Sequence, residues 1–245
     1  MLRIPRAAII TAVLGALGAC RVDRSPTSLT DLTAKNQLPV FPSDPSGFVA
    51  QIDNPYLHFA AGRVFIYQSQ TPDGLETDSV QVTNLSKSIL GIAATVVHDK
   101  VYLNGSLTED TFDWYAQDTL GNVWYLGEDS KQILNGVVVG TEGSWEAGVN
   151  GALPGIIMLA QPKVGTQYQQ EFAAGVAEDN AKVVNLSAKV VVAYGPFTGC
   201  LKTEEWTPLE QGAREQKFYK AGVGLLLTVQ PKGGGISEEL TAIQN

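Results

Sequence analysis

The chain has 245 residues, 25 of them acidic and 17 basic, for a formal charge of −8 at pH 7. Nucleic acids and anionic membranes attract proteins through Lys and Arg, so a body this acidic is a poor partner for either. The length allows one large β domain or two small ones, with enough chain to bury a real core.

Met1 to Arg6 is short and basic, and Ala7 to Leu17 runs without a charge before Gly18 and Ala19. A basic start, an apolar run and small residues at the cut are the parts of a secretory signal. The run is shorter than the roughly 20 residues that cross a bilayer. Leu17-Gly18-Ala19-Cys20 resembles a bacterial lipobox. The resemblance implies that the Cys20 thiol receives a diacylglycerol. It also implies that the signal, residues 1–19, is cut away and the new amine is acylated, with palmitate as the expected chain. The alternative is an ordinary signal peptide with an incidental cysteine. Loss of Arg3 and Arg6 leaves 15 basic against 25 acidic residues, a charge of −10. Such a body needs a lipid anchor to stay at a membrane. In Gram-negative hosts an Asp after the lipidated Cys resembles an inner-membrane retention signal. Arg21 stands there instead, which favours the outer membrane in such a host. With Cys20 lipidated, Cys200 has no partner, so an intramolecular disulfide and a Cys-based zinc site are excluded. Cys200 is expected to be buried, as free cysteines usually are.

Residues 20–47 read as the lipidated cysteine and a flexible tether. Turn formers are frequent, no apolar period is present, and Pro39, Pro42 and Pro45 close the stretch. As a coil, its 27 residues from Arg21 to Gly47 would span on the order of 25–30 Å.

Residues 48–245 read as a single all-β domain. Val64 to Gln70 is a strand ended by the turn Thr71-Pro72-Asp73-Gly74. Asp78 to Asn84 alternates, and Ile92 to Leu103 is β-branched, with a bend or bulge expected at His98-Asp99-Lys100. Asn104-Gly105 and Asn135-Gly136 are hairpin signals. Between them, Glu109 to Asp118 places Phe112, Trp114 and Ala116 on one face and Asp113, Tyr115 and Gln117 on the other. Ser144 to Lys163 breaks the rhythm: glycines and prolines frame Ile156 to Leu159. That segment is either tucked under the core or a lid over a ligand. Further strands are expected at Thr166–Phe172, Ala181–Leu186, Lys189–Tyr194, Gly199–Trp206, Arg214–Tyr219, Gly222–Val229 and Ile236–Ile243. Turn signals every 8–12 residues predict an antiparallel meander that forms a barrel, half-barrel or sandwich.

Little catalytic chemistry is visible. His58 and His98 are the two histidines, and they lie in no metal-binding spacing. No nucleophile elbow, Ser-x-x-Lys or P-loop occurs, and Gly143-Ser144-Trp145 misplaces the second glycine. An enzyme is not expected, nor is a cofactor. Glu109, Asp110, Asp113, Asp118, Glu128 and Asp129 form an acidic cluster. It reads either as a solvated edge that discourages strand pairing or as a calcium site. Tyr56, Phe65, Tyr67, Trp114, Trp124, Trp145 and Trp206 either line a pocket or fill the core. Sequons at Asn84, Asn104 and Asn185 are expected to be chance.

Several segments carry a resemblance: Asn54-Pro55-Tyr56 through Gly62, Asp113-Trp114-Tyr115, Gly143 to Gly148, Tyr194 to Lys202, and Glu215 to Leu225. Together they resemble a family of uncharacterised bacterial envelope lipoproteins, over about Ile52 to Ile243. The resemblance implies no activity and no active residues. By looser analogy the strand pattern is similar to LolA- and LolB-type lipoprotein carriers, half-barrels with an apolar hollow. These readings converge on a lipid-anchored envelope lipoprotein, a non-enzymatic binding module for an apolar ligand or lipid. The alternatives are a structural protein presenting an acidic surface to envelope partners, or a calcium-stabilised domain. Ligand-binding residues and oligomeric state are not legible.

Overall fold

The computed structural model describes residues 40–231 and 237–245. The expected signal peptide, Cys20 and most of the tether lie outside the described residues. The first half holds β1 (Phe48–Val49), β2 (Val64–Thr71), β3 (Gly74–Ile89), β4 (Ile92–Leu103), β5 (Ser106–Asp118), β6 (Val123–Leu134), β7 (Val137–Gly140), β8 (Trp145–Glu146) and β9 (Leu153–Met158). The second half holds β10 (Gln167–Gln169), β11 (Glu171–Phe172), β12 (Asn180–Val192), β13 (Gly195–Trp206), β14 (Glu215–Lys220), β15 (Gly224–Val229) and β16 (Ser237–Gln244). The fold is all-β and antiparallel. A 3₁₀ turn at Pro45–Gly47, capped by Asp44, is the helical element among the described residues. No helix among them is long and apolar enough to cross a membrane.

Local chemistry explains the hairpins. Leu90-Gly91, Asn104-Gly105 and Asn135-Gly136 each leave two residues between paired strand ends, and all six have positive φ. Two left-handed residues give the turn whose twist matches the flanking strands. Asn104 also ties two hairpins together. Its side chain accepts from the Leu75 N–H and donates to the Asp73 carbonyl. The expected bend at His98-Asp99-Lys100 does not occur. These residues pair in unbroken register with Gln81, Val80 and Ser79.

The strand order runs β10-β12-β13-β14-β15-β16-β2-β3-β4-β5-β6-β9-β11. Its two ends, β10 and β11, are separated in the chain by Gln170 alone. The sheet therefore curls into a nearly closed barrel, and the seam is at that residue. Gly155 in β9 makes the seam possible. A Cβ there would lie 2.2 Å from the Gln170 carbonyl carbon, so only a bare backbone fits. The Ser144–Lys163 segment is thus no lid. It contributes β8 and β9, and Ile156 to Leu159 is buried core.

The inner wall has two characters. At one end Phe65, Val82, Val97, Leu201, Leu226 and Leu240 pack as apolar core. Toward the other end the buried side chains turn polar: Asp78, Asp99, Thr111, Asp113, Glu128, Thr203, Glu205 and Lys217. The apolar end is covered by residues 52–60. Ile52 bridges Phe59, and the side-chain Oε1 of Gln117 accepts from the N–H groups of Asp53 and Asn54. Ordered packing starts upstream of the expected Phe48 boundary. The Phe41 ring meets Trp124 edge-on at 5.0 Å and Phe48 at 5.4 Å.

Candidate ligand groove and buried carboxyl array

A groove of about 880 Å³ lies between residues 45–61 and the β3–β4 hairpin. Phe48, Ile52, Phe59, Val82, Ile92 and Ala94 give it an apolar wall. Polar residues, among them His58, Asp53 and Asn84, also line it. Exposed Leu85 and Val49 line the groove as well.

Phe59 connects this groove to the barrel interior. Its ring meets Tyr115 at 5.3 Å, Tyr115 stacks on Tyr125 at 4.8 Å, and Tyr125 meets Trp145 edge-on at 5.4 Å. Trp145 Nε1 then donates to Glu171. The column ends among carboxyl groups. Nine buried residues carry one among the described residues: Asp78, Asp99, Asp113, Asp118, Glu128, Glu171, Asp179, Glu205 and Glu215. Among the described residues the buried cation is Lys217.

The register forces some of these acids together. Asp113 and Glu128 are directly paired across β5 and β6. Two ionised groups about 5 Å apart would repel by about 3 kcal/mol at an effective dielectric of about 20. One bound proton removes that term. The hydrogen bonds require one: the Tyr125 hydroxyl touches both Asp113 Oδ1 and Glu128 Oε2, yet carries a single hydrogen. Burial, followed by the Asp113 charge, pushes the Glu128 carboxyl well above its usual range. Burial and Asp179 push Glu171 up to about 8. On the opposite wall Glu205 and Glu215 are paired across β13 and β14. There Lys217 supplies the compensating charge, 2.8 Å from Glu205 and 3.9 Å from Glu215. Burial alone would raise Glu205, but the Lys217 charge and hydrogen bond bring it below the ordinary value.

The structure disperses the acidic cluster that the sequence suggested. Asp113 and Glu128 face inward. Asp118 caps the β5–β6 turn, accepting from the N–H groups of Leu120 and Asn122, from Asn122 Nδ2 and from Trp124 Nε1. Asp110 pairs with His98, which stacks on Phe112 at 4.1 Å, and Asp129 pairs with Lys131. Among the described residues no three acids, histidines or cysteines converge on a position for a metal ion. The calcium site therefore has no cage, and the solvated-edge reading fails for Asp113, Asp118 and Glu128. From Asp113 onward β5 is covered on both faces, so Asp113 and Asp118 have no solvent to meet, whereas Glu109 and Asp110 nearer its start are half-buried.

Of the other sequence candidates, His58 lines the groove and Ser144 hydrogen-bonds with Ser130. Trp114, Trp124, Trp145, Phe65 and Tyr67 are buried core, and Trp206 lies half-buried under Arg214. Cys200 is buried, and burial raises its thiol pKa. The expected apolar hollow inside the barrel is absent at the polar end, where charged groups fill the wall. Sequence reasoning missed Glu171, Asp179, Glu205, Glu215 and Lys217. The available signal is a period of two, as in Glu215-Gln216-Lys217-Phe218-Tyr219, where both charges share a face with Tyr219. It places Glu215, Lys217 and Tyr219 on one strand face, and that face is the buried one.

No protein-family model and no curated protein matches the chain. Two crystal structures are weakly similar. One is a candidate exported protein with a YmcC-like fold from Bacteroides fragilis, 14% identical, with a TM-score of 0.46 over 78% of this chain and 99% of its own. The other is a candidate lipoprotein from Parabacteroides distasonis, 11% identical, with a TM-score of 0.43 over 79% of this chain and 100% of its own. Similarity at that level assigns neither family nor function.

Proposed function

We propose that the chain is a lipid-anchored bacterial envelope lipoprotein, a non-enzymatic module that binds an apolar ligand such as a lipid acyl chain in the groove beside the β3–β4 hairpin. One observation carries the ligand reading. The groove, at about 880 Å³, falls among small-molecule sites of roughly 300–1,000 Å³ and has the mixed apolar and polar lining of such sites. The lipobox-like Leu17 to Cys20 and the resemblance to envelope lipoproteins support the anchor at Cys20. Arg21 supports the outer membrane in a Gram-negative host. The anchor then holds an acidic body at the membrane, and nucleic acid is not a partner.

The test uses residues 20–245 with Cys20→Ala, so that neither the lipid nor the apolar signal is attached. Native mass spectrometry should show an extra mass that denaturing extraction removes, or a complex with added palmitic acid. Ala93 is exposed and lines the groove. Ala93→Trp fills the groove from its rim and should abolish the complex at an unchanged melting temperature. A bare mass with and without added fatty acid would sink the ligand reading.

A further inference from the structure

The β6–β7 hairpin leaves the barrel as a ribbon of its own. β7 is off the closed strand path and pairs with β6 alone. Its large apolar residues are wet: Leu134 is 62% exposed, Val137 63%, Val138 50% and Val139 60%. Consecutive strand residues face opposite ways, so both faces of the ribbon are apolar. From Gln132 to Thr141 there is no charge, between Lys131 and Glu142. Soluble domains normally blunt such a strand with lysine, proline or a cover. None of these is present on β7.

We propose that this tip inserts into the apolar part of a lipid bilayer. Three observations favour lipid over a protein partner. First, the tip is uncharged on a chain of net charge −8. Attraction to anionic headgroups is therefore not its device, and apolar insertion is. Second, the tip is a narrow two-stranded ribbon, apolar on both sides, which suits surrounding acyl chains better than a flat protein face. Third, the lengths agree. Phe41 packs on Trp124 at the far end of β6, ten residues from Leu134 and so roughly 33 Å from the tip. The 20 residues from Cys20 to Val40 reach at most about 70 Å. A domain anchored at Cys20 can therefore turn its tip onto the same bilayer. This last argument rests on the proposed anchor; the first two do not.

The experiment is vesicle flotation of residues 20–245 carrying Cys20→Ala, so that neither the lipid nor the apolar run of residues 7–17 is present, with vesicles of phosphatidylcholine and phosphatidylethanolamine. The protein should float, equally well at high salt. Val137→Asp with Val139→Asp should lower the bound fraction at least tenfold while leaving the melting temperature unchanged. A chain that does not float, or that floats regardless of the two aspartates, overturns the proposal. So does a dimer without vesicles that the same substitutions dissociate, because the tip would then dock on a second copy. The anchor reading is checked separately by the mass of the exported native protein. A missing diacylglycerol would remove that reading and leave the flotation result standing.

Discussion

The hydroxyl of Tyr125 donates to Asp113 Oδ1 across 2.6 Å, inside the barrel wall, with Glu128 Oε2 3.0 Å away on its other side. A single phenol thus separates two acids that the strand register holds opposite each other. Tyr125→Phe keeps the ring stacked on Tyr115 and removes only the bridge. The expected cost is about 2–3 kcal/mol, the scale for leaving buried carboxyl oxygens unsatisfied. Urea denaturation should show a lower midpoint at unchanged slope. An unchanged midpoint would mean that the two acids do not depend on the hydroxyl.

Stability should fall as the solution becomes alkaline. Glu171 is raised from 4.5 to about 8 by burial and by Asp179, and Glu215 to about 7 by burial. Between pH 4.5 and 8 the folded state therefore holds protons that the unfolded state has released. Stability then declines with pH. The contribution is complete below about pH 4.5 and is lost as pH rises through 7 and 8. Melting temperature should drop between about pH 5 and 8 and level off above that. Glu171→Gln keeps an acceptor for Trp145 Nε1 but does not ionise, so it should melt higher than the unsubstituted protein at pH 8.5 and show no such gain at pH 5. A melting temperature that climbs through this window would contradict the assignment.

Lys217 is the compensating charge between Glu205 and Glu215. Lys217→Met fills similar space without the charge and leaves two opposed buried carboxyls. The loss should be about 3–5 kcal/mol, as for other broken buried pairs. Adding Glu205→Gln should recover part of it, because the surviving acid then has no like-charged neighbour. A double-mutant cycle measures the difference. Additive effects would show that the three side chains do not act together.

The sequence carried the strands well wherever two cues agreed. Ile92 to Leu103 is one such strand, since β-branched residues sit between a glycine and Asn104-Gly105. It also carried the split faces of β5, because alternation is a local property of an extended backbone. Leu90-Gly91 escaped notice, as leucine is an unusual residue at positive φ. The groove was not legible at all. It exists because residues 45–61 fold back beside the β3–β4 hairpin, a contact between segments that share no local pattern.

The sequence by itself determined the all-β class, the hairpin turns and the alternation of each strand, all set by neighbours within a few residues. Only the tertiary structure decided which face of each strand points inward. A charge on one strand face is ordinary if that face meets water and costly if it does not. Closing the sheet at Gln170 put Asp113, Glu128, Glu171, Glu205 and Glu215 out of the solvent, turned Ile156 to Leu159 from a possible lid into core, and left Val137 to Val139 outside. Those outcomes follow from barrel closure, which no short stretch of residues encodes.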